Sequence, residues 1–300
     1  TIDVLVERID PVGRPELGPA LEAAASGRFA AVARMIDPLP GRLDPPGTGG
    51  GAITLSAGAD GGGPADPHSL AYAGTLGEGG RDRAAVAGVR AMVEAGRTGT
   101  LTVGTGESDC DQPLTLFVEC CAPPPRMLVY GAVDFAAALV RLGTYLGYEV
   151  TVCDARPVFA TAERFPDAAH VVVDWPHRHL EATRTDHRTV VCVLTHDAKF
   201  DVPLLERALR MPLAYVGAMG SRRAHHDRLR RLRGAGLAED ELAGLHSPVG
   251  LDLGGRTPEE TALSIAAEIV AVRRGGTGLP LTHRDGPVHR PAGLVPVPAT

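Results

Sequence analysis

The stretch "YVGAMGSRRAHH" carries the clearest anion-binding chemistry in the chain. An apolar run passes through Gly217 and Gly220 into a segment opened by Ser221, with Arg222 and Arg223 directly after it. A helix starting there leaves its first amides without intrahelical partners, and two guanidinium groups beside them suit a phosphate. Four further arginines, Arg228, Arg230, Arg231 and Arg233, follow in the same segment and read as a solvated basic face. Upstream, "LTHDAKFD" sets Thr195, His196 and Asp197 at the end of another apolar run. In an open α/β sheet such strand ends line the ligand crevice. His196 has the chemistry of an acid, a base or a hydrogen-bond donor there, or of a structural cap for the next helix.

A third stretch, "MLVYGAVDFAAALVRLG", resembles the opening of a dinucleotide-binding unit with one part changed. In G-x-G-x-x-G/A the small residues serve a tight turn, close approach to pyrophosphate and helix–strand packing. Gly131 can make the turn and Ala136 the packing, but Val133 stands at the position of close approach. Asp134 follows, where it is expected to cap the helix and repel an anion. Asp154 ends the next strand 23 positions after Gly131, near the usual spacing of about 20 for a ribose-binding acid. The pattern predicts a nucleotide-type fold that lacks a tight NAD(P) site.

Other polar clusters are weaker. His177 and His179 in "WPHRHL" read as a loop pair rather than a metal site, and the adjacent His225 and His226 are not expected to share a helix face. Neither H-E-x-x-H nor G-x-S-x-G occurs, so zinc-hydrolase and serine-hydrolase chemistry lack a motif. The five cysteines, Cys110, Cys120, Cys121, Cys153 and Cys192, form no C-x-x-C pair and predict reduced thiols in a cytoplasmic protein. Cys110, in the polar stretch "GESDCDQP", is the thiol most open to chemistry, whereas Cys153 and Cys192 lie in apolar runs.

The elements that would position these residues alternate regularly after "CCAPPPR". Apolar runs at "RMLVYG", "YEVTVCD", "HVVVDW", "TVVCVLTHD" and "LAYVGAMG" read as five strands, with helices after the first, fourth and fifth. Such alternation predicts a Rossmann-like, doubly wound parallel sheet over residues 127–275. Its last helix is signalled by Thr257 as N-cap, Pro258 at the first position, Glu260 completing a capping box, and Gly275 as the stop. Before the prolines, "RDRAAVAGVRAMVEAG" predicts a helix with Ala85, Val89, Met92 and Val93 on one side, and "PLTLFVECC" a strand. Residues 1–122 are therefore expected to form a smaller α+β domain, residues 123–126 a proline-rich linker, and residues 276–300 a disordered tail.

Composition narrows the partners. A net charge of −6 with 4% aromatic residues argues against nucleic acid, despite the arginine-rich helix. No apolar run approaches the roughly 18 residues needed to span a bilayer, so no membrane insertion is expected. No basic segment followed by an apolar one marks an export signal, and Thr1 fits removal of an initiator methionine.

Taken together, "VVCVLTHDAKFD", "AYVGAMGSRR" and "SPVGLDLGGRTPEETALSIAAEIVA" resemble the XdhC/CoxI family of maturation factors for xanthine dehydrogenase and CO dehydrogenase. The stretch from "VYGAVDF" to "RFPDA" is similar to it as well, and "GTLGEGGRDRAAVAGVRAMVEAG" more faintly. The resemblance implies an N-terminal XdhC-type domain before a Rossmann domain. It also implies binding of the molybdenum cofactor (molybdopterin), support of its sulfuration, and delivery to a molybdenum hydroxylase. The implied partners are a cysteine desulfurase and the molybdenum-binding subunit of that hydroxylase, and the implied assembly is a homodimer. On this reading Gly131, Asp154, Thr195, His196, Asp197, Gly217, Gly220, Ser221, Arg222 and Arg223 form a cofactor site, with no metal site and no turnover of the protein's own. Two departures stand out: Val133 where relatives often carry glycine, and Cys110-Asp111-Gln112 where they often carry Cys-Gly-Gly. The second sets the sulfur-handling role of Cys110 against the pattern. The alternative is an NAD(P)-dependent oxidoreductase with an altered fingerprint.

Overall fold

The computed structural model describes residues 9, 11–36, 51–57, 70–77, 79–104 and 113–283. Cys110 and the end of the expected tail, residues 284–300, lie outside the described residues. Two compact units divide between Pro123 and Pro124.

The N-terminal unit contains α1 (Leu17–Ala25), β1 (Ala30–Met35), β2 (Ala52–Ser56), β3 (Ala71–Thr75), α2 (Gly79–Glu94), β4 (Gly99–Val103) and β5 (Leu114–Cys121). Its five strands form an antiparallel sheet ordered β3-β2-β1-β5-β4. Ala85, Val89, Met92 and Val93 of α2 are buried together against Ile53, Leu55, Leu116 and Val118, as the 3.6-residue spacing predicts. Gly96 ends the turn after α2 with φ 59°.

The C-terminal unit contains β6 (Arg126–Tyr130), α3 (Asp134–Tyr145), β7 (Glu149–Asp154), β8 (His170–Val173), α4 (Pro176–Ala182), β9 (Val190–Val193), α5 (Ala198–Ala208), β10 (Tyr215–Ala218), α6 (Arg222–Gly234), α7 (Glu239–Ala243), β11 (Leu245–His246) and α8 (Pro258–Arg274). All six strands are parallel, in the order β8-β7-β6-β9-β10-β11. This is the Rossmann order, and its topological switch point lies between β6 and β9. Met127, Val129, Val150, Val152 and Cys192 pack on one face against Leu139 of α3 and Ile265 and Ile269 of α8. Leu128, Tyr130, Val191 and Val193 pack on the other against Leu180, Leu204, Leu205 and Leu232. Helices thus cover both faces, and that is why the strands are apolar at nearly every position.

Local chemistry explains the helix ends. Thr257 Oγ1 accepts from the Glu260 amide at 3.2 Å, the Glu260 carboxylate accepts from the Thr257 amide at 3.1 Å, and Gly275 ends α8 at φ 65°. Several expectations need correction. Arg126 does not belong to the linker: it opens β6 opposite Glu149, and the Pro125 carbonyl already accepts from the Glu149 amide at 2.9 Å. "WPHRHL" is not a loop but the start of α4, so His177 and His179 point to different sides of a helix. The segment after Gly275 also begins as ordered chain: the Gly276 amide donates to Ala271 O at 2.6 Å, and Leu281–His283 make one 3₁₀ turn.

Candidate functional site

The turn after β6 is closed from within. Gly131 has φ 109°, and a Cβ there would stand 2.7 Å from Thr195 Cγ2 and 2.9 Å from the Thr195 amide nitrogen. Only glycine lets the ends of β6 and β9 approach this closely. The Ala132 amide, which a pyrophosphate would need, donates instead to Asp154 Oδ2 at 2.9 Å. The Val133 amide donates to Gly131 O at 3.0 Å.

Asp154 is equally occupied. Its Oδ1 accepts from the Arg156 amide and Nε, both at 2.9 Å, and its Oδ2 from Arg156 Nη2 at 2.8 Å. Burial pushes this carboxyl up, but the hydrogen bonds from Arg156 and Ala132 together outweigh it and hold it below its ordinary range. The residue spaced like a ribose-binding acid is a strut between two loops. Asp134 does not cap α3, because the N-cap is Val133, which offers no side-chain acceptor. Asp134 is exposed and pairs with Arg164 at 3.2 Å.

At the end of β9, Thr195 is buried and its hydroxyl donates to Asp201 Oδ1. Asp197, not His196, caps α5, accepting from the Lys199 amide at 3.1 Å. His196 is left exposed. Beyond β10, Gly217 fits where a Cβ would come within 2.6 Å of both the Tyr215 ring and Val249. Ser221 caps α6, its Oγ accepting from the Ala224 amide at 3.2 Å. The amides of Arg222 and Arg223 precede the first intrahelical bond, in which His225 N donates to Ser221 O at 2.9 Å. Gly220, at φ 150°, precedes this cap and sets the approach to the helix. The rings of His225 and His226 meet edge to face with centroids 5.5 Å apart, closer than adjacent helix positions suggest. Burial, followed by His226 and Arg228, lowers the His225 pKa.

The arginines of α6 divide into distinct roles. Arg230 pairs with Asp227 and Arg233 with Glu239, both exposed as expected of a solvated face. Arg228 overturns that expectation. It is 5% exposed and donates to Asp201 Oδ2 at 3.0 Å, Met219 O at 2.8 Å and Ser247 Oγ at 2.9 Å. One guanidinium thereby ties α5 and the loops after β10 and β11, and through Asp201 also Thr195. A cavity of about 150 Å³ lies against it, lined by His196, Ala198, Asp201, Ala224, Asp227 and Arg231 among others. That is well below the roughly 300–1,000 Å³ of a whole small-molecule site. The acids lining it have arginine partners in Arg228 and Arg230, which leaves Arg231, among the described residues, as the unpaired cation of its wall, while Arg222 and Arg223 stand unpaired in the first turn of α6.

Residues 127–269 match the family model of the XdhC Rossmann domain. The C-terminal unit is an XdhC Rossmann domain. Similar curated proteins include the Escherichia coli molybdenum cofactor insertion chaperone PaoD, 30% identical over 151 residues. The match covers 50% of this chain and 41% of PaoD. A Bacillus subtilis protein named as a probable xanthine dehydrogenase component is 31% identical over 170 residues, covering 55% of this chain and 48% of that protein. The uncharacterized protein YqeB of Escherichia coli is 31% identical over 183 residues, 61% of this chain and 33% of its own length. The chain thus spans between a third and a half of these relatives. A crystal structure described as a xanthine dehydrogenase from Bacillus halodurans shares the fold, with TM-score 0.56 and 23% identity over 87% of this chain and 67% of that one.

Within the XdhC domain, then, the strand-end residues singled out by sequence fall into two groups. Gly131, Asp154, Thr195, Asp197 and Gly217 are occupied by packing or internal hydrogen bonds. His196, Arg222 and Arg223, with the amides after Ser221, face outward. Sequence reasoning missed Asp201 and Arg228. Leu232, one turn after Arg228, marks the buried stripe of α6 and is the signal that could have singled out this arginine.

Proposed function

We propose that this chain binds the molybdenum cofactor at the carboxyl ends of its parallel strands, supports cofactor sulfuration, and delivers it to a molybdenum hydroxylase. The observation that carries the proposal is an asymmetry of anion seats. In the first β–α turn the Ala132 and Val133 amides are bonded internally and Asp134 sets a carboxylate at the helix start, whereas the first turn of α6 carries two arginines with no side-chain partner among the described residues. A pterin cofactor with one terminal phosphate fits a single seat; a dinucleotide needs a pyrophosphate cradle. The name of PaoD points the same way.

The donor set fits the group. The amides of Arg222 and Arg223 and the two guanidinium groups would hold the phosphate, and His196 would meet the ring or its side chain with a group that can donate or accept. The cofactor itself supplies the molybdenum centre and its sulfur chemistry. The chain's residues orient and shield it, and Arg228 fixes the relative position of the loops that do so. The same proposal includes the molybdenum-binding subunit of the hydroxylase and a cysteine desulfurase as partners, a homodimeric assembly, a cytoplasmic site of action, and no turnover of the chain's own. Among the described residues no helix is long and apolar enough to cross a membrane.

Cofactor retention by Arg222→Ala, Arg223→Ala and Arg230→Ala, purified side by side from a cofactor-producing host, tests the seat. A charge-assisted hydrogen bond contributes about 1.5–3 kcal/mol, so either of the first two should weaken binding roughly ten- to a hundredfold. Arg230→Ala should change little. Equal retention by all three contradicts the seat. The rival reading, an NAD(P)-dependent oxidoreductase, has the strand order in its favour. The occupied Ala132 amide and Asp154 carboxylate argue against it.

A further inference from the structure

We propose that Trp175 is a stacking platform for a planar aminopyrimidinone ring, the ring class to which a pterin belongs, with His177 and the neighbouring carboxylates reading its edge. The identity of the ring rests on the cofactor reading above; the existence of the platform does not.

Trp175 is the only tryptophan in the chain, and it is 43% exposed. It is the residue before α4, at the carboxyl end of β8, and it lies outside the hydrophobic core clusters. The anchoring of α4 falls to buried Pro176 and Leu180 instead. A large ring that serves only to pack helices should be buried with them. This one is braced from behind and left open. Phe200, at the start of α5, holds it with ring centroids 5.3 Å apart, and His177 meets it edge to face at 6.0 Å. Phe200 is buried, and Lys199 Nζ sits 4.7 Å from its centroid. The Trp175 amide donates to Asp174 Oδ1 at 2.7 Å, and Pro176 follows directly, so the backbone under the ring is fixed. A preorganised aromatic face of this kind loses little entropy on binding a second ring.

Hydrogen-bonding groups stand beside the platform. His177, half-buried, meets the ring from the side, and its Nδ1 has no hydrogen-bond partner among the described residues. Asp174 and Asp197, both part-exposed, flank the two helix starts that carry the rings, and of the two Asp197 is already engaged by Lys199. An aminopyrimidinone presents an N–H and an amino group side by side, a pair of donors that a carboxylate accepts bidentately. His196 directly precedes Asp197 and lines the cavity beside Ala224.

The test uses 6-hydroxymethylpterin, which has the ring but neither phosphate nor metal. With one tryptophan, any change in indole emission reports on Trp175 alone, and calorimetry supplies affinities for variants without it. Saturable quenching is expected in the wild-type protein. Stacking of a base on an aromatic side chain is worth on the order of a five- to hundredfold change in affinity on alanine substitution, so Trp175→Ala should weaken binding by that factor. Trp175→Phe should recover most of it. Tyr145→Ala, an exposed aromatic on α3, should bind like wild type. Guanosine, with the same donor edge, should bind and adenosine should bind at least about tenfold more weakly, because one lost edge pair is worth about that much. Unsaturable quenching, or equal affinity in Trp175→Ala and Tyr145→Ala, overturns the platform. Equal binding of adenosine overturns the edge recognition. If Trp175→Ala does not fold, the wild-type quenching and the Trp175→Phe affinity decide the matter. Purified protein that retains molybdopterin but shows no pterin quenching leaves the cofactor reading standing and refutes this inference. Quenching without retained molybdopterin does the reverse.

Discussion

Replacing Arg228 with leucine leaves the Asp201 carboxylate buried with only the Thr195 hydroxyl to satisfy it. It also removes the donors to Met219 O and Ser247 Oγ. Both charged side chains are 5% exposed, so water cannot replace the lost partner. Breaking one half of a buried ion pair costs about 3–5 kcal/mol. At about 2–4 °C per kcal/mol for a unit of this size, the melting temperature should fall by roughly 6–20 °C. The loss should also depend on pH. Burial already pushes the Asp201 carboxyl up, against the hydrogen bonds from Thr195 and Arg228, and removing Arg228 pushes it further. A carboxyl whose folded pKa lies above its unfolded value of about 3.9 keeps its proton in the folded state after the unfolded chain has released it. Stability from that group is therefore greatest at acid pH and declines as pH rises through the folded pKa. The variant's deficit should be larger near about pH 8 than near about pH 5. Urea unfolding followed by circular dichroism at both pH values measures it. Adding Asp201→Asn should recover part of the loss, since no uncompensated charge then remains. A deficit below about 1 kcal/mol, equal at both pH values, refutes the account of Arg228 as a buried tie.

Gly131→Ala should destabilise the C-terminal unit by about 2–5 kcal/mol, combining a left-handed backbone with a Cβ against the Thr195 amide; an unchanged urea midpoint would show that the turn can relax. Burial pushes the thiols of Cys153 and Cys192 up to about 12, so both should label with a thiol reagent only after unfolding, and labelling of either at a free-cysteine rate contradicts their placement. NAD and NADP should bind weakly, because the Ala132 amide and the Asp154 carboxylate are already bonded; a dissociation constant in the low micromolar range in calorimetry would overturn this.

What was legible in the sequence had local chemistry behind it. The end of α8 could be named residue by residue because Thr257, Pro258, Glu260 and Gly275 each act within one turn. The parallel strands were legible as unbroken apolar runs, since both faces are covered. The short elements were not: β11 is two residues long, and α4 buries only Pro176 and Leu180, too few for a helical period to show. In the site, the cap at Ser221 was readable from its position, but the inward turn of Arg228 was not. The segment "RRAHHDRLRRLR" offers arginine at so many positions that composition hides which one faces the core. Asp154 misled for a different reason. Its spacing from Gly131 matches a ribose-binding acid, while its true partner, Arg156, stands only two residues away.

The most direct test of the cofactor assignment is the pterin and molybdenum content of the protein purified from a cofactor-producing host and from one unable to make the cofactor. The account predicts molybdopterin approaching one equivalent per chain from the first host and none from the second, with the amount from the first falling sharply in an Arg222→Ala, Arg223→Ala double variant that remains folded. Protein from the producing host that carries no pterin above background would contradict it.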